Sequence, residues 1–215
     1  MVIINVRGTS GSGKSTLVRK VTAEYAARTI FKEPDRERPI GYIYSRPEGR
    51  NLAVIGHYET DCGGCDTITN MDRIFELVRE SAEANLDVLF EGLLISADAN
   101  RCTALWQWAQ ERGIPMLVLA LDTPLDLCLA SVNGRREAAY QRRLERIEAE
   151  NTVKAANGHK LLPLPTPKGD VNPKNTESKF KGVLTTMKRL AAAGVPTATL
   201  SRDGALERIS KELGL

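Results

Sequence analysis

No apolar run in the 215 residues approaches the roughly 20 needed to cross a bilayer, so a membrane partner is not expected. The opening Met1-Val2-Ile3-Ile4-Asn5-Val6 carries no basic region and no cleavage site, and reads as structure rather than as a signal peptide. Cysteine is scarce. Four residues, at 62, 65, 102 and 128, make no disulfide framework for a chain this long, which points to a reducing cytoplasm. The net charge is only +3, so bulk charge argues for no particular partner and its distribution matters more. Internal repeats and low-complexity tails are absent. What remains is 42% apolar and 27% charged, an ordinary globular composition with length enough for one sizeable domain.

Val2 to Val6 is a short β-branched run ending at a glycine-rich turn, which predicts a buried strand. Leu17, Val18, Val21 and Tyr25 then fall near helical spacing and predict a helix from Lys14 to about Ala27. Residues 28–39 are polar, with Pro34 and Pro39, and read as a loop. Gly41 to Tyr44 and Leu52 to Tyr58 read as strands joined by the Pro47-Glu48-Gly49 turn. A glycine-bearing loop over 61–67 leads to an amphipathic helix through Met71, Ile74, Phe75, Val78 and Ala82, ended by Asn85. Further strands are predicted at Asp87 to Phe90, Met116 to Leu121 and Thr197 to Leu200. Helices are predicted over 99–112, from Pro124, over about 135–155, over about 177–193 and from 203. Pro163, Pro165, Pro167 and Pro173 mark residues 157–175 as an extended, partly mobile connection. Strands alternating with helices imply an α/β fold, a central parallel sheet with helices on both faces, whose ligands sit at the carboxyl ends of the strands.

Gly8-Thr9-Ser10-Gly11-Ser12-Gly13-Lys14-Ser15 fits the pattern G-x-x-x-x-G-K-[ST] between a strand and a helix. Its glycines let the backbone curl so that several amides point at phosphate oxygens, and the following helix adds its positive end. Lys14 reaches the β- and γ-phosphates of ATP, the Ser15 hydroxyl ligates magnesium, and Thr16 lies close to the α-phosphate. Asn172-Pro173-Lys174-Asn175 does not supply the Asn-Lys-x-Asp guanine reader of a GTPase, and no transporter-type signature loop follows. Transfer to a hydroxyl or phosphate acceptor is left.

Four stretches make the chain resemble P-loop kinases of the nucleotide-kinase type: Gly8 to Thr16, Val88-Leu89-Phe90-Glu91-Gly92, Leu119 to Arg136, and Thr197 to Ser201. Within that group, Gly56-His57-Tyr58-Glu59-Thr60-Asp61-Cys62-Gly63-Gly64-Cys65-Asp66-Thr67 resembles the bacteriophage 5-hydroxymethyluracil DNA kinases, which phosphorylate the base hydroxymethyl group. The resemblance implies a P-loop fold, with a lid-like helical segment at about 133–160 and a Pro/Lys-rich connection at about 157–176, all one domain. It also implies an acceptor of 5-hydroxymethyluracil in DNA. A kinase of a free nucleotide, nucleoside or other small metabolite is the alternative, and an ATP-hydrolysing switch or binding module is an alternative of another class.

Kinases of this kind need a carboxylate beside the acceptor hydroxyl. Glu59, Asp61, Asp66 and Glu91 are the candidates. Asp61 or Asp66 is preferred, Asp66 first because Gly63-Gly64 before it would let a substrate come close; either would equally cap the helix starting near Asn70 or stabilise the turn. Glu91 ends an apolar strand as a Walker B acid does, and reads as a magnesium or substrate ligand that needs a donor nearby. Asp122, at the matching place on the next strand, reads as a turn residue. Cys62-Gly63-Gly64-Cys65 has ligand spacing but no second pair, so two small side chains in a turn is the preferred reading. Residues 135–146 hold five arginines against two glutamates. The resemblance assigns a lid role, stabilising the transferring phosphoryl group, to Arg135 and Arg136, Arg135 first; Arg142, Arg143 and Arg146 recur at helical spacing and suit an outward face. Lys168, Lys174, Lys179 and Lys181 suit either a DNA backbone or a solvated loop, and with few aromatics beside them base stacking is not favoured. Tyr42, Tyr44 and Tyr58 lie nearer the acceptor, with core packing their preferred use.

Overall fold

The computed structural model describes residues 1–34, 36–60 and 63–215. Among these, one sheet is built from β1 (Ile3–Arg7), β2 (Ala27–Phe31), β3 (Gly41–Ser45), β4 (Leu52–Ile55), β5 (Asp87–Glu91), β6 (Met116–Leu121) and β7 (Thr197–Leu200). The order is β2-β3-β4-β5-β1-β6-β7. The strands β4, β5, β1, β6 and β7 run parallel to one another. The centre is the expected parallel sheet; at one edge β2, β3 and β4 pair antiparallel, β3 and β4 across the turn at Pro47-Glu48-Gly49. The β3–β4 connection of six residues, 46–51, is too short for the crossover a parallel pair requires.

Residues 28–39, read as a loop, begin with β2. All five of its residues are exposed, so no alternation of buried and open positions marks it. The first helix, α1 (Lys14–Thr22), accordingly ends before Ala27. The strand read to Tyr58 stops at Ile55.

The helices α2 (Met71–Glu83), α4 (Asn100–Glu111) and α6 (Pro173–Ala192) cover one face of the sheet. Ile3, Val88, Phe90 and Val118 meet Ile74, Leu77, Leu105 and Leu190 there. On the other face Ile4, Val6, Leu89 and Leu119 meet Leu17, Val18 and Val21 of α1 and Ile209 of α7 (Arg202–Leu213). Burial on both faces is what makes β1, β5 and β6 read as nearly unbroken apolar runs. Asn5 and Arg7, fully buried, are the exceptions on β1, and both lie beside the ligand edge.

Two short features place the site. A five-residue helix, α3 (Leu93–Ala97), follows β5 and was not foreseen. The stretches read as a helix from Pro124 and a charged helix over 135–155 are one element, α5 (Leu125–Ala156), about 48 Å long at the α-helical rise. The proline-rich residues after it turn back along it. The side chain of Asn151 binds both the amide and the carbonyl of Leu162 (2.6 and 2.9 Å). Arg136 Nη1 donates to Gly169 O at 2.9 Å, and Val171 N donates to Asn133 Oδ1 at 2.9 Å. None of the described helices is long and apolar enough to cross a membrane.

Candidate active site

β1 delivers the chain into the turn Gly8 to Gly13, and neighbouring strands hold that turn from outside. Gly8 N donates to Ser96 Oγ on α3 at 3.2 Å, and Ser96 Oγ donates to Gly92 O at 2.6 Å. Thr123 Oγ1, just beyond β6, donates to Ser12 O at 2.9 Å. Gly11 sits at φ 83°, and a Cβ there would run into the carbonyl of Cys128 on α5, so only glycine lets helix and loop meet. Gly13, with φ 98°, leads into α1 without a side-chain cap, and the first-turn amides stay open to a ligand. Under the turn, Thr9 Oγ1 and Ser12 Oγ are buried with no hydrogen-bond partner among the described residues.

Lys14 is 7% exposed, and its Nζ donates to Gly8 O and Thr9 O at 2.9 and 3.1 Å. Burial pushes its pKa down, against the pull of Glu91 and Asp66. An ammonium has three donors. Two go to neutral carbonyls, so a buried cation and the glycine-rich backbone of the turn face one space. That donor set fits the phosphates of a nucleotide.

Glu91, at the end of β5, is 1% exposed. Its Oε1 accepts from Ser15 Oγ at 2.7 Å and from Tyr58 Oη at 3.5 Å. Burial raises the Glu91 pKa, while Lys14 and the Ser15 hydroxyl pull it back. Burial also raises the Tyr58 hydroxyl well above its usual value, with Glu91 adding to the effect. Among the described residues no group of three or more His, Cys, Asp or Glu side chains gathers as a metal cage. The pair Ser15–Glu91 is instead two hard oxygens at the phosphate end, the modest protein share typical of a phosphate-bound cation.

Asp66 faces the same space from the single 3₁₀ turn Cys65–Thr67. Its Oδ2 accepts from Leu93 N at 2.9 Å and its Oδ1 from Leu94 N at 3.1 Å. It thus caps α3. The helix α2, which sequence offered as the alternative use of this aspartate, is capped by Asn70. Two of the roughly four acceptor sites of the carboxylate remain for a substrate. Lys14, Ser15, Asp66, Glu91 and Arg135 all line one cavity of about 170 Å³, with Ser131 and Leu93 completing it. Arg135 is close enough to lower the Lys14 pKa further. The other proposed base, Asp61, and Cys62 lie outside the described residues.

Gly64 does not open a path for substrate. Its φ of 90° and ψ of −166° belong to glycine, and a Cβ would come within 2.5 Å of Glu91 Oε1 and 2.6 Å of Glu91 O. Gly63, by contrast, lies against Tyr58 Cδ1 and also lines the phosphate cavity, as the open backbone expected of the pair would. Cys65 is buried and its Sγ donates to Ile55 O at 3.3 Å; Cys102 lies by Arg7, and Cys128 in the first turn of α5. Tyr42, Tyr44 and Tyr58 are buried, and Tyr42 packs tilted against Tyr44 and Tyr58 at 6.0 and 6.3 Å between centroids.

Sequence reading missed Ser96, Thr123 and Arg7. Arg7 Nε donates to Asn5 Oδ1 at 2.6 Å, and its Nη1 and Nη2 to Ser96 O and Asp98 O at 3.3 and 3.1 Å. It ties the root of the loop to the end of α3. The signal was present: two polar residues two apart on one face of an otherwise apolar strand.

A largely parallel sheet with a phosphate loop at its carboxyl edge, a buried lysine in that loop, a carboxylate on the adjoining strand end and a second on the turn facing it define a P-loop kinase. An AAA domain model matches residues 3–154. A 5-hmdU DNA kinase of Pseudomonas phage PaMx11 is 45% identical over 211 residues, 98% of this chain and 96% of that protein. A 5-hmdU DNA kinase of Pseudomonas phage M6 is 35% identical over 144 residues, 63% of this chain and 72% of that protein. The chain belongs to the AAA domain family and, within it, to the group of these phage kinases. Among solved structures, deoxyadenosine kinase from M. mycoides with bound dATP aligns over all of both chains at 12% identity and a TM-score of 0.41, too loose a match to argue from.

Proposed function

We propose that this protein moves the γ-phosphoryl group of ATP onto the hydroxymethyl oxygen of 5-hydroxymethyluracil in DNA. The 45% identity to a phage 5-hmdU DNA kinase across nearly the whole chain carries the acceptor. The acceptor oxygen attacks the γ-phosphorus, the bond to the β–γ bridging oxygen breaks, and ADP leaves. The hydroxyl proton passes to a carboxylate. Asp66 is the residue we assign, because two amides fix its orientation and leave acceptor sites toward the cavity. Gly8 to Thr16 hold the phosphates, with Lys14 and Arg135 offsetting charge on the transferring group. Ser15 and Glu91 would hold magnesium, which when bound neutralises phosphate charge. Residues 133–160 act as a lid within a single domain. Among the described residues, three free, buried cysteines support a reducing, cytoplasmic setting.

The test offers ATP labelled at the γ-position together with hydroxymethyluracil DNA, unmodified DNA and the free nucleotide. Label is expected on the first alone. Label on the nucleotide, or release to water, refutes the acceptor. Lys14→Ala is expected to abolish transfer with the unfolding midpoint kept, and retained transfer removes the loop from the chemistry.

A further inference from the structure

Two clefts leave the phosphate loop in different directions. One, about 150 Å³, opens beside Thr16 between α1 and α7, where Lys20 and Asp203 stand 4.0 Å apart. The other, about 470 Å³, opens at Ser10 and runs between α5 and the returning segment. Its α5 wall carries Arg135, Arg136, Tyr140 and Arg143, which share a helix face by their spacing. Pro165 and Lys168 form the opposite wall, and no acidic residue lines it among those described. Arg136 is fixed across it to Gly169 O, and Asn133 to Val171 N, so both walls are tied to one frame.

The triphosphate orientation separates the two clefts. With the α-phosphate at Thr16 and the lysine on the β- and γ-phosphates, the nucleoside of ATP belongs at the Thr16 cleft. The γ-end then points to Ser10 and the larger groove. Four cations without an acid suit a polyanion. A volume of this size takes one nucleotide or a single strand and not a stacked duplex.

We propose that this groove is the acceptor-strand subsite. Tyr140 stacks on a base, and Arg143 and Lys168 bind the phosphates beside it. Tyr140 stands about 7.5 Å further along α5 than Arg135, so the base on it is the neighbour of the reacting one. The subsite rests on the reading that the acceptor is DNA. It gives the exposed Arg143 a use within the groove, and the chain a stacking surface that sequence did not offer.

Steady-state phosphorylation of a single-stranded hydroxymethyluracil oligonucleotide tests it. Tyr140→Ala is expected to raise the oligonucleotide KM about tenfold while the ATP KM stays, and Tyr140→Phe to restore it. Arg143→Ala with Lys168→Ala is expected to flatten the log–log salt dependence of binding by about 1.4. Arg142→Ala with Arg146→Ala removes the same charge from outside the groove and is expected to leave that slope alone. Tyr140→Ala with an unchanged oligonucleotide KM, or equal effects of the two charge pairs, overturns the groove while the DNA kinase reading stands. Wild-type protein that labels only free nucleotide overturns both.

Discussion

Gly64→Ala probes the link between backbone and site most directly. Gly64 pairs with His57 through both main-chain groups, at 3.1 and 2.8 Å, and its backbone sits where only glycine is at ease. Forcing alanine into that conformation costs about 1–3 kcal/mol. The new methyl then meets Glu91 Oε1 at 2.5 Å and Glu91 O at 2.6 Å. A carboxylate swings away cheaply; the carbonyl of a central strand does not, and overpacking of this kind costs about 1–3 kcal/mol. The sum, about 2–6 kcal/mol, is a large part of the stability of an ordinary domain, about 5–15 kcal/mol. At about 2–4 °C per kcal/mol for a chain of this length, thermal unfolding of the ligand-free variant should begin at least 4 °C lower. Displacing Oε1 also breaks the Ser15–Glu91 pair, so the magnesium concentration for half-maximal rate should rise. An unchanged unfolding midpoint with a raised KM for the acceptor alone would refute this reasoning and return the glycine to a substrate-facing role.

Asp66→Asn keeps one acceptor for the α3 amides, so stability should fall by no more than about 1 kcal/mol. The kcat should drop about 100-fold with the ATP KM kept; an undiminished kcat would move proton acceptance to another carboxylate. Burial raises the Glu91 pKa, so the folded chain holds that proton more tightly than the unfolded one, and ligand-free stability is lost as pH climbs from the ordinary glutamate range through the raised value. Glu91→Gln in chelator should therefore match wild type in melting temperature under acid and exceed it near neutrality; a gap that ignores pH counts against the buried carboxylate. Arg7→Met strips the donor from Asn5 Oδ1, Ser96 O and Asp98 O, and should cost about 1–3 kcal/mol in urea unfolding and raise the ATP KM. Stability within error of wild type would show that the loop does not depend on this arginine.

What sequence made legible follows from how each residue is read. The phosphate loop is local: eight consecutive residues carry its geometry, and the strand before it and helix after it announce themselves by burial. The strands β5 and β6 were equally plain because both faces are covered. By contrast β2 buries nothing, so its pairing with β3 left no pattern to find. The helix α3 is five residues long and lacks a cap of its own in sequence; Asp66, 27 positions earlier, supplies one. The same distance hid the function of Gly64. Its partner, Glu91, is remote along the chain, and a glycine pair next to an aspartate reads locally as an opening for substrate.

The supports of the loop explain why the site is assembled from so many segments. Ser96 reaches Gly8 from beyond β5, Thr123 and Cys128 reach Ser12 and Gly11 from beyond β6, and Arg202, following β7, covers Gly13. Three neighbouring parallel strands thus each send one continuation back over the first. A parallel sheet puts all these carboxyl ends on one edge, so the arrangement needs no long loop to build. The consequence is rigidity before binding: carbonyl, hydroxyl and helix contacts fix the curl while the amides inside it stay open. Lys14 is likewise held from within the turn, its ammonium donating to Gly8 O and Thr9 O. With the curl of the loop held from outside, little of the binding energy of the triphosphate goes into ordering the loop, and the interactions that grow as charge builds on the transferring group act from fixed positions.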